Sequence, residues 1–346
     1  MTRKLVFAYP GDLQLKTGGY AYDRKVLAGL RDRGWEIALL PLGAGFPAPT
    51  PDMLAAAQQK LGAIEDGSLV LIDGLAFGVL DEWATRDASR LRIVALVHHP
   101  LALETGLSSD RQALLKRTER RALGATRHVI VTSPMTRREL IANYGLSLQH
   151  LTVALPGTAP GARARLDGTP AHILSVGTLL ERKGHDVLIR ALFEIRDLEW
   201  TASIVGSQTL DQKTAQALKT LVIDLGLTDR IDLAGECEDT RALMAKADIF
   251  ALASRYEGYG MVFAEALSHG LPIIACDAGA VPEVVPDDAG ILVPVDDVMA
   301  FAHALRLMVI NPAERQKRGE AAFAAGCRLP QWHDTAEIIS SVLETL

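Results

Sequence analysis

The chain has 346 residues, 49% of them apolar and 23% charged, which is long for one core and suits two globular domains rather than a disordered chain. A net charge of −6 argues against a nucleic-acid binder, because affinity for a phosphate backbone needs a basic face. The cysteines Cys237, Cys276 and Cys327 are widely spaced without a metal-ligand pattern and read as buried thiols in a reducing compartment. No apolar run reaches the roughly 18 residues of a membrane span. The apolar part of the N-terminal stretch is too short for a signal peptide, so a cytoplasmic location is expected.

In chain order, Lys4–Tyr9 reads as a first strand, followed by a loop that carries Gly18 and Gly19. Val26, Leu27 and Leu30 recur at helical spacing, so a helix is expected over Ala21–Arg33, stopped by Gly34. Glu36–Leu40 is the second strand. This βαβ opening lacks Gly-x-Gly-x-x-Gly and is not the dinucleotide fingerprint. Its Gly-Gly pair suits either a tight turn with positive φ or a close backbone approach to a ligand. Pro41–Pro51 reads as a loop, Met53–Leu61 as a helix, and Leu69–Ile72 as a buried strand ending in Asp73-Gly74. Leu91–Val97 is another strand and ends in His98-His99-Pro100, at the carboxyl end where open α/β sheets place ligands. Ser109–Leu123 is a basic helix with Arg111, Lys116, Arg117, Arg120 and Arg121, read as a solvated face that Glu119 interrupts; peripheral contact with an anionic membrane or acceptor is the other reading. Val129–Ser133 and Leu151–Leu155 are strands, with a helix opened by Pro134 between them.

Residues 156–170 carry Gly, Pro, Ala and Arg without an apolar period and read as an interdomain linker. A second alternating set follows. Ala171–Val176, Trp200–Val205, Ile231–Gly235, Ala247–Ala253, Leu271–Ala275 and Ala289–Val293 are extended. Helices are expected over Val187–Ile195, Lys213–Leu225, Thr240–Ala247, Met261–His269, Val298–Ile310, Glu314–Ala325 and Trp332–Leu346. Two alternating runs imply an α/β chain of two doubly wound, parallel-sheet units facing a shared cleft, a favoured place for ligands.

The chemistry concentrates in Ser254–Glu265, where a strand ends, a glycine-bearing loop turns and a helix begins. Backbone N–H groups at such a helix start suit a phosphate. Glu257 and Glu265 flank the bend with seven residues between them. Carboxylates repel phosphate, so these two are expected to accept from hydroxyls, and a ligand with both phosphates and hydroxyls is a nucleotide-sugar. Arg182 and Lys183, also between a strand and a helix, can neutralise a diphosphate as fork and point charge. No metal-ligand cluster, P-loop or nucleophile set stands out by spacing, so no metal or cofactor is expected.

With these residues in view, the chain resembles the retaining glycosyltransferases of family 4, which have the two-domain GT-B fold. The resemblance covers nearly the whole length and is most specific from Glu257-Gly258-Tyr259-Gly260 through Glu265, which is similar to the family's Glu-x7-Glu motif. Leu271–Ala275, Gly279–Val285, Ala289–Pro294 and Gly177–Gly184 also match. The resemblance implies an N-terminal acceptor-side domain over 1–158, a nucleotide-sugar domain over 159–330, and a helix over 331–346 that crosses back. It implies that Glu265 binds ribose hydroxyls, and that Glu257 with Gly258, Tyr259 and Gly260 holds the donor sugar and diphosphate. Arg182 and Lys183 would bind the diphosphate, Gly18 and Gly19 would approach it, and His98 or His99 would face the sugar. Thr178 departs from the pattern, since many members carry arginine directly after the glycine. The implied reaction is metal-independent transfer of a hexose from a UDP- or GDP-linked donor to an acceptor hydroxyl with retention. The acceptor could be a small molecule, lipid-linked or a polysaccharide. A sugar-nucleotide epimerase of the same fold, or a catalytically silent binding protein, is the alternative.

Overall fold

The structure is a computed structural model that describes residues 3–346. The chain divides into two compact units, Met1–Gly157 with Pro330–Leu346, and Thr158–Leu329.

The first unit runs β1 (Arg3–Pro10), α1 (Gly18–Asp32), β2 (Trp35–Gly43), α2 (Pro51–Gly62), β3 (Leu69–Asp73), α3 (Gly74–Phe77) and α4 (Asp81–Asp87). It continues with β4 (Arg92–Val97), α5 (Ser109–Gly124), β5 (His128–Val131), α6 (Pro134–Tyr144) and β6 (Leu151–Val153). The sheet order is β2-β1-β3-β4-β5-β6, with every pairing parallel. Helices cover the faces of such a sheet, so β3 is buried at every residue and reads as an apolar run without alternation. The order reverses between β1 and β3, which makes the carboxyl ends of these strands the place for a ligand.

The second unit runs β7 (Ala171–Val176), α7 (His185–Glu194), β8 (Trp200–Val205), α8 (Gln212–Asp224), β9 (Ile231–Gly235), α9 (Thr240–Met244) and β10 (Ile249–Leu252). Then come α10 (Met261–Ser268), β11 (Ile273–Cys276), α11 (Val281–Val284), β12 (Gly290–Val293), α12 (Val298–Ile310) and α13 (Pro312–Gly326). This sheet is also all parallel, in the order β12-β11-β10-β7-β8-β9. Trp200, Leu188, Ile204 and Phe301 are buried in one core cluster with it. Each side chain of that size removed from water contributes roughly 1.5–3 kcal/mol.

The last helix, α14 (Trp332–Glu344), belongs to the first unit. It lies tight against α1, where a Cβ on Gly29 would come within 2.5 Å of Ala336 Cβ. Trp35 Nε1 donates to Ser340 Oγ at 2.9 Å, and Thr335 Oγ1 donates to the Leu155 carbonyl at 2.7 Å. These bonds satisfy buried polar groups at the seam and fix the helix in register.

Both units are doubly wound, as the alternating pattern predicts. Five local expectations are corrected. Helix α1 begins at Gly18 rather than Ala21, because Thr17 accepts from Tyr20 N and caps the helix early. Gly18 and Gly19 therefore lie inside the helix, outside the set with positive φ, and form no tight turn. Strand β2 runs through Pro41 to Gly43; as an edge strand it tolerates a residue without N–H. Glu119 does not sit on a solvated face. It is 1% exposed and its Oε2 accepts from Leu101 N at 3.0 Å. Of the three thiols, Cys276 is buried but Cys327 is exposed. Among the described residues, no helix is long and apolar enough to cross a membrane.

Candidate functional site

In the second unit the strand order reverses between β7 and β10, so the loops leaving those strands meet. The first is Gly177–Gly184 and the second is Ser254–Gly260. They are bolted together by backbone. Arg255 N donates to the Arg182 carbonyl at 2.8 Å, and a Cβ on Gly184, at φ +63°, would overlap the Ala253 carbonyl. The Arg255 guanidinium adds a fork to Asp186, at 2.8 and 3.1 Å, and a bond to Asp296 at 2.8 Å.

This frame brings Arg182, Lys183 and Glu257 into one cluster. Lys183 Nζ donates to Glu257 Oε1 at 2.6 Å, and Ser254 Oγ donates to the same oxygen at 2.7 Å. Arg182 Nη1 lies 3.5 Å from Glu257 Oε2 and donates to the Tyr256 carbonyl at 2.8 Å. Burial alone would push the Glu257 carboxyl up. The charges of Lys183 and Arg182, with the bonds from Lys183 and Ser254, outweigh it and hold this carboxyl below the ordinary carboxylate value. Two cations against one anion leave one net positive charge, which suits an anionic ligand. The backbone of Glu257 is fixed from behind. Its carbonyl accepts from Ala280 N at 2.9 Å, and a Cβ on Gly279, at φ +56°, would meet that carbonyl at 2.3 Å.

The bend ends at Gly260, whose φ of +92° starts α10 in a left-handed conformation with no side-chain cap. The first N–H groups of α10 thus meet no capping side chain, as an anion site at a helix start requires. Gly258 is half-buried, and the Tyr259 ring is buried, its hydroxyl pushed up to about 12 by burial. Glu265 is half-buried, and among the described residues its carboxylate has no hydrogen bond or ion pair. Burial raises its pKa, and the Arg241 guanidinium pulls it back only in part. A carboxylate kept there without a partner is costly to the fold, and polar ligand groups would repay the cost.

In the first unit, α1 carries Gly19 and Asp23 one turn apart on the same face, toward His98 at the end of β4. A Cβ on Gly19 would come 3.4 Å from His98 Cδ2, whereas one on Gly18 would meet nothing within 4 Å. His98 Nε2 lies 3.1 Å from Asp23 Oδ1. His99 turns elsewhere, with its Nε2 3.3 Å from Glu104 Oε2. Asp23 and Asp73 are both buried, and one ligand-type atom each from Asp23, Asp73 and His98 lies within 4.8 Å of the others. Spacing could not reveal this set, since Asp23 and His98 are 75 residues apart. Two signals were present: Asp73 ends an all-apolar strand, and Asp23 lies on the helix stripe of Val26, Leu27 and Leu30.

Two family models match the chain: "Glycosyltransferase Family 4" over residues 65–160 and "Glycosyl transferases group 1" over residues 162–324. Among curated relatives, the lipopolysaccharide core biosynthesis mannosyltransferase LpcC of Rhizobium leguminosarum bv. viciae is 33% identical over 150 residues, 42% of this chain and 43% of that protein. A GDP-mannose-dependent alpha-(1-6)-phosphatidylinositol monomannoside mannosyltransferase of Mycolicibacterium smegmatis is 29% identical over 329 residues, 88% of this chain and 81% of that protein. In the first of these matches the chain thus spans less than half of its relative's length. Among solved structures, a sucrose-phosphate synthase from Thermosynechococcus elongatus superposes with a TM-score of 0.84 at 19% identity, covering 99% of this chain and 98% of that one, a likeness of fold. The two family matches abut, so they cover parts of both units rather than one generic nucleotide-binding domain, and the chain belongs to glycosyltransferase family 4.

Proposed function

We propose that this chain transfers a hexose from a nucleoside diphosphate sugar to an acceptor hydroxyl, with retention at the anomeric carbon. The observation that carries the reading is the Lys183–Glu257–Arg182 cluster beside the uncapped start of α10. Lys183, Arg182 and the first N–H groups of α10 take the diphosphate, and the charge that grows on it as the sugar leaves is met by groups already in place. Glu257 holds the two cations and, with Gly258, Tyr259 and Gly260, borders the sugar. Glu265 accepts from the ribose hydroxyls. In the first unit, Gly18 and Gly19 offer backbone, and His98 rather than His99 contacts substrate, because His99 is engaged with Glu104. The acceptor hydroxyl attacks on the face from which the diphosphate departs, a leaving phosphate oxygen takes its proton, and the bond to the diphosphate breaks as the new glycosidic bond forms. Positioning and electrostatics supply the catalysis. The names of the relatives above, two of them mannosyltransferases, support a hexose donor.

Calorimetry with UDP and GDP tests the nucleotide half of this reading. One of them binds the native chain, and Glu265→Ala weakens it by roughly tenfold or more, because two hydroxyls lose a charged acceptor. Unchanged affinity would remove Glu265 from the site, and failure of both nucleotides to bind overturns the reading. Proton NMR of the transfer product then separates retention from inversion, and absence of turnover with any nucleotide-sugar favours the silent binding protein.

A further inference from the structure

Asp23 is fully buried and Asp73 is 2% exposed, and among the described residues His98 is grouped with them. His98 Nε2 is taken by Asp23 Oδ1. Asp73 Oδ1 accepts from Leu75 N at 2.7 Å. Asp23 Oδ2 is buried and meets no donor among the described residues. Two carboxylates this close and this dry cannot both keep their charge against one imidazolium. A proton on Asp73 removes one charge and supplies the donor that Asp23 Oδ2 lacks.

We infer that Asp23 and Asp73 share one proton and together act as positioning residues, fixing the His98 ring through Nε2 and keeping it an imidazolium. His98 Nδ1–H, which hydrogen-bonds no other described residue, is then left to donate to a substrate oxygen. The shifts at Asp73, His98, Tyr20 and Tyr22 agree with this arrangement. Burial and then the Asp23 charge push Asp73 up to about 8, against the pull of His98. For His98, burial acts downward, but the charge and bond of Asp23 outweigh it and raise the imidazole; Asp73 adds least, and its proton removes that share. From α1, Tyr20 is pushed up to about 12 by burial and by Asp73, Asp23, Asp12 and Tyr9, and Tyr22 is raised by burial and Asp23, so both stay neutral. The Tyr22 ring meets His98 edge-on at 5.3 Å and donates its hydroxyl to the Ala154 carbonyl at 2.9 Å.

The role of His98 toward substrate rests on the proposed transfer, so the test has one arm that does not. Nitrogen-15 NMR of the imidazoles in the full chain, with His98 assigned through His98→Gln, follows its titration and tautomer. In the native chain His98 titrates above an ordinary histidine. In Asp23→Asn it falls, because the bonded charge is gone. In Asp73→Asn it stays high, because the new amide can donate to Asp23 Oδ2 and leaves the Asp23 contact with His98 in place. A native His98 that titrates at or below the ordinary value overturns the inference, as does a fall in Asp73→Asn equal to that in Asp23→Asn. Should Asp23→Asn fail to fold, the native chain and Asp73→Asn still decide. In the kinetic arm, Asp23→Asn lowers kcat by roughly a hundredfold with little change in donor KM, the signature of a displaced group. An unchanged kcat overturns the positioning role. A native chain without turnover on any nucleotide-sugar sinks the transferase reading alone, and the NMR arm stands.

Discussion

Lys183 Nζ and Glu257 Oε1 lie 2.6 Å apart, so a cation suited to a diphosphate is already held by a carboxylate. Both side chains are mostly buried, at 15% and 7% exposure, and Arg182 lies on the other carboxylate oxygen. Removing one member of such a group strands the others. Glu257→Ala is expected to cost about 3–5 kcal/mol of stability in urea titrations, because two cations lose their buried counter-charge. The milder Glu257→Gln separates holding from binding. It leaves the cations more attractive to an anion, so affinity for a free nucleoside diphosphate holds or rises. Turnover falls by roughly a hundredfold, because Lys183 and Arg182 lose their fixed placement. Full turnover in Glu257→Gln would refute this role. The acid limb follows from the same contact. The folded-state pKa of Glu257 is depressed, so its contribution is present above the unfolded value near 4.5 and is lost as pH falls through the folded value.

Glu119 works with the opposite sign. Burial raises it to about 8, although the Leu101 N–H and the Tyr144 hydroxyl oppose the rise. Its folded pKa thus stands above its unfolded value, and between about pH 4.5 and 8 the native chain binds a proton that the unfolded chain releases. The contribution of Glu119 to stability therefore falls with rising pH across that window. Glu119→Gln keeps an oxygen for Leu101 N and carries no charge. Urea midpoints measured from pH 5 to 8.5 should show the variant gaining on the native chain as pH rises. Parallel curves would mean that Glu119 is not buried as a neutral acid.

Much of this was legible beforehand, for definite reasons. Buried parallel strands announce themselves as short apolar runs, so β3, β4 and β10 were readable along with the two-unit pattern. Glu257, Arg182 and Lys183 were legible because each follows such a strand. That they grip one another was not, since pairing across 74 residues leaves no periodic trace. The burial of Glu119 is not legible in the sequence, because a single carboxylate among arginines looks solvated and only the packing of Leu101 against α5 shows otherwise. Helices α3 and α11, four residues each, are shorter than the window over which an apolar period can be counted.

Metal independence now has a sharper test than it had from spacing. Asp23, Asp73 and His98 are the one His/Cys/Asp/Glu set among the described residues whose donor atoms converge. If the shared proton balances their charge, turnover survives excess EDTA and titration with divalent ions does not disturb the His98 imidazole signals. Loss of turnover in EDTA, restored by one divalent ion that also shifts those signals, would hand the set to a metal and remove the proton from it.

Gly18 offers a way to tell scaffold from function at the start of α1. Among the described residues, nothing beyond its chain neighbours and its own helix backbone lies within 4 Å of where its Cβ would be, and its φ is not positive, so no packing or turn there calls for a glycine. Alanine in a helix is better than glycine by roughly 0.5–1 kcal/mol, so Gly18→Ala should stabilise the chain by about that amount. If the first turn of α1 is left bare so that a ligand can approach the backbone, the same substitution lowers kcat/KM for the donor while the urea midpoint rises. Gly19→Ala is the companion case. Its methyl would touch the His98 ring at 3.4 Å, so it should disturb the His98 imidazole signals, which Gly18→Ala leaves alone. A Gly18→Ala chain that is both more stable and fully active would show that this turn never meets substrate, and the role given to Gly18 would have to be withdrawn.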